Sequence, residues 1–242
     1  MASRPVFVPT SQSPFVSTQN IEFEWVKGMV KAQVRKRALS LHSFAANHGL
    51  ENLLEISTAS NTEFGVSLSA FNLQVTINLG SEEQPNLHTN SVEAFYQSAK
   101  VGLNSQHQKV GPHPEWLTLG SSEKVKAAIK ATNISEINLF KYGENVWPAQ
   151  PIESFFTWLY IQGLMQKEGT LEQLAKFNGF TDIYFNPKKT INCQARASAM
   201  AVSLFNSGQL ETVMKTRKSF LLFCKANPSG HVGNEISKKS KK

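Results

Sequence analysis

The chain has 242 residues, a formal charge of +7 at pH 7 and 40% apolar residues. This globular composition and length allow one domain with a substantial core, which we predict to span residues 1–228. No apolar run is long enough to cross a membrane, and prolines interrupt the N-terminus where a secretory signal needs an apolar core, so a cytoplasmic protein is predicted. The positive charge fits an anionic partner, and part of it lies in residues 229–242, which we predict to be a basic disordered tail.

The first part of the chain is predicted to contain one helix between two extended regions. Prolines in residues 1–24 favour extended chain. Apolar residues at helical spacing in the following basic segment predict a helix that ends near Gly49. Beyond it, alternating apolar residues predict two or three antiparallel strands between residues 53 and 79. The alternating residues are Val66, Leu68, Ala70, Val75, Ile77 and Leu79.

The rest of the chain is predicted to be mostly helical. The expected helices are one that begins near Asn90 and four at 122–131, 151–165, 191–206 and 209–225. The segment that starts at Pro151 is apolar on nearly every face and predicts a central buried helix. Thr170 and Gln173 match a capping box in a short helix that Gly179 would end. These elements predict the α+β class: a mainly helical single domain with a small antiparallel sheet.

Sequence motifs for common cofactors are missing. The chain has no GxGxxG after a strand, no Walker loop, no HExxH and no GxSxG elbow, which argues against enzymes that use a dinucleotide, ATP or zinc. Cys193 and Cys224 have neither a CxxC spacing nor a histidine at metal-ligand distance, so they are predicted to be buried thiols. The sequence therefore predicts no cofactor and no metal.

Three segments place polar groups among apolar residues. The first is "NSVEAFYQSAK" at 90–100, where Glu93, Gln97 and Lys100 form one polar stripe at helical spacing. A plain alternative is a surface helix in which Asn90 caps the N-terminus and Glu93 completes a capping box. The second is "QVRKRALSLH", where positive neighbours of Lys36 favour the neutral amine that nucleophilic lysines need, or simply a solvated basic face.

The third segment is "FTDIYFNPKKTINCQARASA". A turn and a helix cap account for Asn186 and Asn192, but they leave Asp182, Gln194 and Arg196 without a structural role. A binding or catalytic role for this segment is as well supported as a structural one.

Taken together, these segments resemble the NADAR superfamily, which carries a Ser-Glu-His-Tyr-Phe-Gln-Ala-Gln-Lys helix. Glu93, Gln97 and Lys100 match its Glu, Gln and Lys in register, with Phe95 and Tyr96 at its aromatic positions. The similarity is closest to NADAR antitoxins associated with DarT-type toxins, which share "RPVFVP", "LEIS", "LSAFNL", "FTDIYFNP" and "INCQARA" in this order. One departure lies in "TDIYFNPKKTIN", where the superfamily has Asp-x-x-Trp-Gly and a Gly-rich loop.

The resemblance implies an N-glycosyl hydrolase that removes ADP-ribose from the exocyclic amine of guanine in DNA. It implies ADP-ribosylated DNA as substrate and a DarT-type toxin as a candidate partner. Within this hypothesis Lys36 is favoured over Lys100 as the nucleophile, with Glu93 and Asp182 as acid-base or electrostatic groups. The residues expected to bind ADP-ribose are Phe71, Asn72, Gln97, Lys100, Asn192 and Arg196.

Two other functions are consistent with the same residues. One is a module that binds ADP-ribosylated DNA or the toxin without turnover. The other is an N-glycosidase for a small metabolite of the riboflavin pathway. The basic surface favours a polymeric anion over a small metabolite.

Overall fold

The computed structural model of the chain describes residues 1–81, 83–119, 124, 127–128, 132, 134–188 and 190–228. The predicted tail at 229–242 and most of the predicted helix at 122–131 lie outside these residues. The described strands are β1 Ala2–Pro9, β2 Val16–Phe23, β3 Leu53–Glu55, β4 Gln74–Asn78, β5 Leu87–Ser91, β6 Lys100–Asn104, β7 Lys109–Val110, β8 Ile134–Tyr142, β9 Asn145–Pro148 and β10 Gly179–Thr181. The described helices are α1 Lys31–Ala46, α2 Glu63–Ser67, α3 Val92–Ser98, α4 Ser154–Gln166, α5 Thr170–Leu174, α6 Gln194–Asn206, α7 Leu210–Met214 and α8 Arg217–Ala226, with a short 3-10 helix at Pro114–Thr118.

The strands form three small sheets. Two contain four strands, in the orders β2-β1-β10-β3 and β7-β6-β8-β9, and the third pairs β4 with β5. All pairs are antiparallel except β10 with β3. The α+β class with a single domain is confirmed, and the sheet content is distributed over more strands than the sequence predicted.

Aromatic side chains fill the interior around α4. Phe155 of this helix lies 4.7 Å from Phe140 and 5.5 Å from Trp147, measured between ring centroids. Tyr160, one turn further on, is fully buried and donates its hydroxyl to the carbonyl of Leu68 at 2.7 Å. Truncation of a buried Phe in such a cluster typically costs about 3–5 kcal/mol. The central buried helix predicted from the sequence is confirmed.

The strand predicted from alternating apolar residues near Val66 was wrong, because a side-chain cap starts a helix there. Residues 63–67 form α2 rather than a strand, since the Thr62 hydroxyl accepts a hydrogen bond from the amide of Gly65 at 3.0 Å and starts a helix there. Val66, Leu68 and Ala70 therefore belong to α2 and the turn after it.

Three helix boundaries also differ from the prediction. Ser91, not Asn90, caps α3, because its hydroxyl accepts from the amide of Ala94. The short helix at 170 begins after Gly169 without a side-chain cap and ends at Leu174, so Gly179 starts β10 instead. The predicted helix 209–225 is broken into α7 and α8, and the second of these has its own capping box.

Candidate functional site

A cavity of about 650 Å³ opens between α3, the turn after α2, the end of β10 and the segment before α6. Backbone bonds hold these parts together: the amide of Glu93 donates to the carbonyl of Ala70 at 2.9 Å, and that of Val92 donates to Leu73 at 3.0 Å. Six residues proposed from the sequence line this cavity: Phe71, Glu93, Gln97, Lys100, Asp182 and Asn192. Its volume lies in the usual range for small-molecule sites.

Lys100 follows α3 and contacts two side chains of that helix inside the cavity. Its Nζ donates to Gln97 Oε1 at 2.6 Å and lies 4.6 Å from the centroid of the Tyr96 ring. Gln97 Nε2 donates in turn to Glu93 Oε1 at 2.8 Å, so the predicted polar stripe is a continuous hydrogen-bonded row. Burial lowers the pKa of Lys100 to about 8, and the charge of Glu93 opposes this change. A neutral amine is therefore accessible near physiological pH.

Asp182 also lines the cavity, immediately after the end of β10. It is buried and its Oδ1 accepts from the amide of Tyr184 at 3.1 Å. Burial, and then the carboxylate of Glu55, raise the pKa of Asp182 to about 8. An acid that keeps its proton at neutral pH is suited to donate it to a leaving group or to a ring oxygen.

Glu55 is hydrogen-bonded to both chain neighbours of Asp182 at the end of β10. Glu55 Oε2 accepts from Thr181 Oγ1 at 2.6 Å and Oε1 accepts from the amide of Ile183 at 2.9 Å. On its other side Thr181 Oγ1 lies 2.8 Å from His42 Nε2. Burial raises the pKa of Glu55 to about 7 and lowers that of His42 to about 4. This buried chain fixes the backbone on both sides of Asp182.

Gln194 and Tyr96 are among the lining residues that the sequence did not assign to the site. Gln194 joins three walls, because its Oε1 accepts from the amide of Ala70 at 2.7 Å, its Nε2 donates to the carbonyl of Ile56 at 2.7 Å, and its amide also contacts Asp182. The sequence matched Tyr96 only to an aromatic position of the family helix, yet its ring centroid lies 4.6 Å from Lys100 Nζ. The signal that the sequence offers for Gln194 is its lack of an evident structural role.

Two buried acceptors in the cavity wall have no partner within the described part of the chain. They are Asn192 Oδ1 and Ser69 Oγ. The Asn192 side chain also forms a hydrogen bond with Tyr96. This bond lowers the pKa of Tyr96, but burial has the larger effect and raises it. Leaving such an atom unpaired costs about 1–3 kcal/mol, so both atoms favour a ligand with hydrogen-bond donors.

Residues 2–232 match the family model described as DarT1-associated NADAR antitoxin. The chain belongs to this antitoxin family. The resemblance inferred from the motifs is confirmed over nearly the whole chain. A search of curated proteins found no match.

The NADAR antitoxin does not bring every predicted site residue to the cavity. Lys36 is exposed on α1, and the cavity lining among the described residues does not include it. Asn72 is exposed and donates to the carbonyl of Val66 at 2.8 Å, beside a second groove. Arg196 is buried on α6 near Glu153 and both cysteines, and burial lowers its pKa.

The described residues contain no group of three or more His, Cys, Asp or Glu side chains arranged to hold a metal ion. No helix among them is both long and apolar enough to cross a membrane. Both cysteines are free and buried.

Proposed function

We propose that this NADAR antitoxin hydrolyses the bond between ADP-ribose and the exocyclic amine of guanine in DNA, and so reverses the modification made by a DarT-type toxin. The observation that supports this most strongly is Lys100, a partly buried amine with a lowered pKa, in a cavity of small-molecule size whose lining also includes the buried carboxylic acid Asp182. A nucleophilic amine and a proton donor are the two groups that such a glycoside needs for cleavage through an imine.

The protonation state of Lys100 decides whether it can act. An ordinary lysine with a pKa of 10.4 is almost wholly charged at pH 7, whereas a pKa of about 8 leaves roughly a tenth of the amines neutral. This is an increase of roughly two orders of magnitude in the reactive form. The aromatic face of Tyr96 and the carbonyl oxygen of Gln97 then orient the amine without adding a charge.

The proposed reaction begins with opening of the ribose that carries guanine. The C1–O4 bond breaks as the nitrogen lone pair forms a C1=N iminium, and Asp182 gives its proton to O4. Neutral Lys100 Nζ adds to C1, a proton moves from Nζ to the guanine nitrogen, and the C1–N bond breaks to release the intact base. Water then adds to the lysine iminium, and collapse of the carbinolamine returns the amine and frees ADP-ribose as its aldehyde, which recloses.

The remaining lining groups have supporting roles in this proposal. Glu93 holds Gln97 and favours cationic intermediates electrostatically. The unpaired acceptors of Asn192 and Ser69 take hydroxyl donors of the ligand. Phe71 and Tyr96 supply apolar walls of the cavity. Arg196 and Asn72 have no direct contact with ADP-ribose in this proposal, because neither lines the cavity.

A release assay tests the activity directly. Purified protein is mixed in excess with DNA carrying ADP-ribose on guanine, and free ADP-ribose is quantified over time, with thymine-modified DNA as control. We expect release from the guanine substrate alone. Stable binding without product would instead support a non-catalytic binder, and faster cleavage of a small riboflavin-pathway glycoside would support the metabolite function.

A further inference from the structure

A second concave surface adjoins the cavity and carries a concentration of positive charge. It is a groove of about 670 Å³ with three exposed cationic side chains, Lys31 and Arg35 from the start of α1 and Lys167 just after α4. Of its described lining residues, Glu63 alone is acidic. The groove therefore has a net positive lining, in contrast to the cavity, whose lining contains two carboxyl groups and one lysine.

The groove and the cavity share two stretches of chain. Thr58 lines the cavity while Asn61 lines the groove, and Phe71 lines the cavity while its neighbour Asn72 lines the groove. Consecutive Cα atoms are about 3.8 Å apart, so at Phe71 and Asn72 the chain passes directly from the lining of the cavity to the lining of the groove. The two surfaces are therefore neighbours, as one polymer bound at both would require.

The cations of the groove are available to a ligand. In the part of the chain that the structure describes, neither Lys31 nor Arg35 forms an ion pair, and Lys167 donates only to the hydroxyl of Ser67 at 3.1 Å. Lys31 and Arg35 are four residues apart on α1 and so lie on one face. The first turn of this helix has no acidic residue and no side-chain cap, so the positive end of its dipole adds to the field.

We infer that this groove binds the phosphodiester backbone of the DNA strand next to the modified guanine. The inference rests on the proposed function, because it assumes that the ligand of the cavity belongs to a DNA strand. No aromatic residue is among the described lining residues, so the groove has no platform on which bases stack. Phosphate contacts of this kind hold the strand in register and carry no sequence information.

The inference is tested with a groove variant of the full chain, Lys31→Ser with Arg35→Ser and Lys167→Ser. Its matched control, Lys176→Ser with Lys215→Ser and Lys218→Ser, removes the same charge from exposed positions elsewhere. Affinity for an unmodified single-stranded oligonucleotide is measured by fluorescence anisotropy over a range of salt concentrations. Thermal unfolding verifies that both variants are folded.

The groove variant is expected to bind at least about tenfold more weakly at low salt, and its slope of log affinity against log salt should fall by about 2, which is about 0.7 for each of three phosphate contacts. The control should lose affinity less than about threefold, with a smaller change of slope. Glu63→Gln should strengthen binding. Equal losses in both triple variants, or an unchanged slope in the groove variant, would overturn the inference.

This readout is independent of turnover. If the wild-type protein binds the oligonucleotide through the groove but releases no ADP-ribose, the groove assignment stands and the proposed activity fails. If release occurs while the groove variant binds DNA like the control, the activity stands and the groove assignment fails.

Discussion

The cavity and the groove are lined by the same two chain segments, and both contain positively charged residues. They differ in how far those side chains are exposed to solvent. In the cavity Lys100 is partly buried, bonded to Gln97 and placed over Tyr96, and its pKa is lowered. In the groove Lys31 and Arg35 are exposed to solvent. Burial lowers the pKa of a lysine and so favours the neutral, nucleophilic amine, whereas an exposed lysine keeps the positive charge that attracts phosphate.

The largest expected effect separates Lys100 from Lys36. Lys100→Met should reduce single-turnover release by more than about 1,000-fold, because it removes the amine that forms the covalent intermediate of the proposed route. Lys36→Met should change release less than about twofold, since Lys36 lies on the exposed face of α1 outside the cavity lining.

Borohydride trapping gives the same distinction chemically. Reduction during turnover should leave an ADP-ribose-derived adduct on the peptide that contains Lys100, detected by mass spectrometry. An adduct on Lys36 would instead identify Lys36 as the nucleophile, as the sequence favoured. Full activity with no adduct on either lysine would exclude the imine route and favour direct hydrolysis.

Asp182→Asn is expected to lower the rate constant of release about 100-fold, the usual loss when a general acid is removed. The amide preserves shape and polarity but has no proton to give to O4. Release is measured under single-turnover conditions, with Glu172→Gln as a matched change at an exposed carboxylate. A loss smaller than about threefold in the folded variant would remove Asp182 from the chemistry.

The pH dependence should reveal the lowered pKa of Lys100. Below pH 8 the amine gains a proton, so the rate of release should fall about tenfold for each pH unit towards acid. Above pH 8 the rate should fall again as the Asp182 proton is lost. Glu93→Gln should move the acidic limb to lower pH, because Glu93 raises the pKa of Lys100; a shift to higher pH would contradict this arrangement.

The smallest effects concern stability. The folded state raises the pKa of Glu55 from 4.5 to about 7, so this group stabilises the protein below about pH 4.5 and loses that contribution as the pH rises through 7. Glu55→Gln should therefore reduce the fall in unfolding free energy between pH 5 and pH 8 by up to about 3 kcal/mol. Urea unfolding at both values measures it.

Lys31→Ser provides the comparison from the groove, where an exposed charge should change the unfolding free energy by less than about 0.5 kcal/mol at either pH. An equal pH dependence in the wild-type protein and Glu55→Gln would show that Glu55 does not carry the buried charge.

The sequence predicted the polar row of the cavity better than its surroundings. The spacing of Glu93, Gln97 and Lys100 indicated a single polar row, and the structure contains it even though α3 ends at Ser98 and Lys100 begins β6. The row is continuous because the helix includes both Glu93 and Gln97 and ends at Ser98, only two residues before Lys100. The family and the α+β class were predicted as well, because motifs and local periodicity carry that information.

Residues that act through distant contacts could not be predicted. Gln194 bonds to Ala70 and Ile56, which are 124 and 138 positions away, so no local pattern identifies its partners. Glu55 lies in a short strand whose neighbour β10 is found only by folding. The strands between residues 100 and 148 were missed for the same reason, since β6 and β8 are stabilised mainly by pairing with each other.

The hydrogen bonds of the chain His42–Thr181–Glu55 all run in one donor-to-acceptor direction, and the protonation of Glu55 decides which direction that is. Thr181 has a single hydroxyl hydrogen, which must go to Glu55 when that group is ionised, so His42 then has to carry its hydrogen on Nε2. When Glu55 is protonated it can donate to Thr181, and the hydroxyl turns towards an unprotonated Nε2. The imidazole tautomer of His42, visible to nitrogen NMR, therefore reports from α1 on the ionisation of a carboxyl group at the back of the cavity.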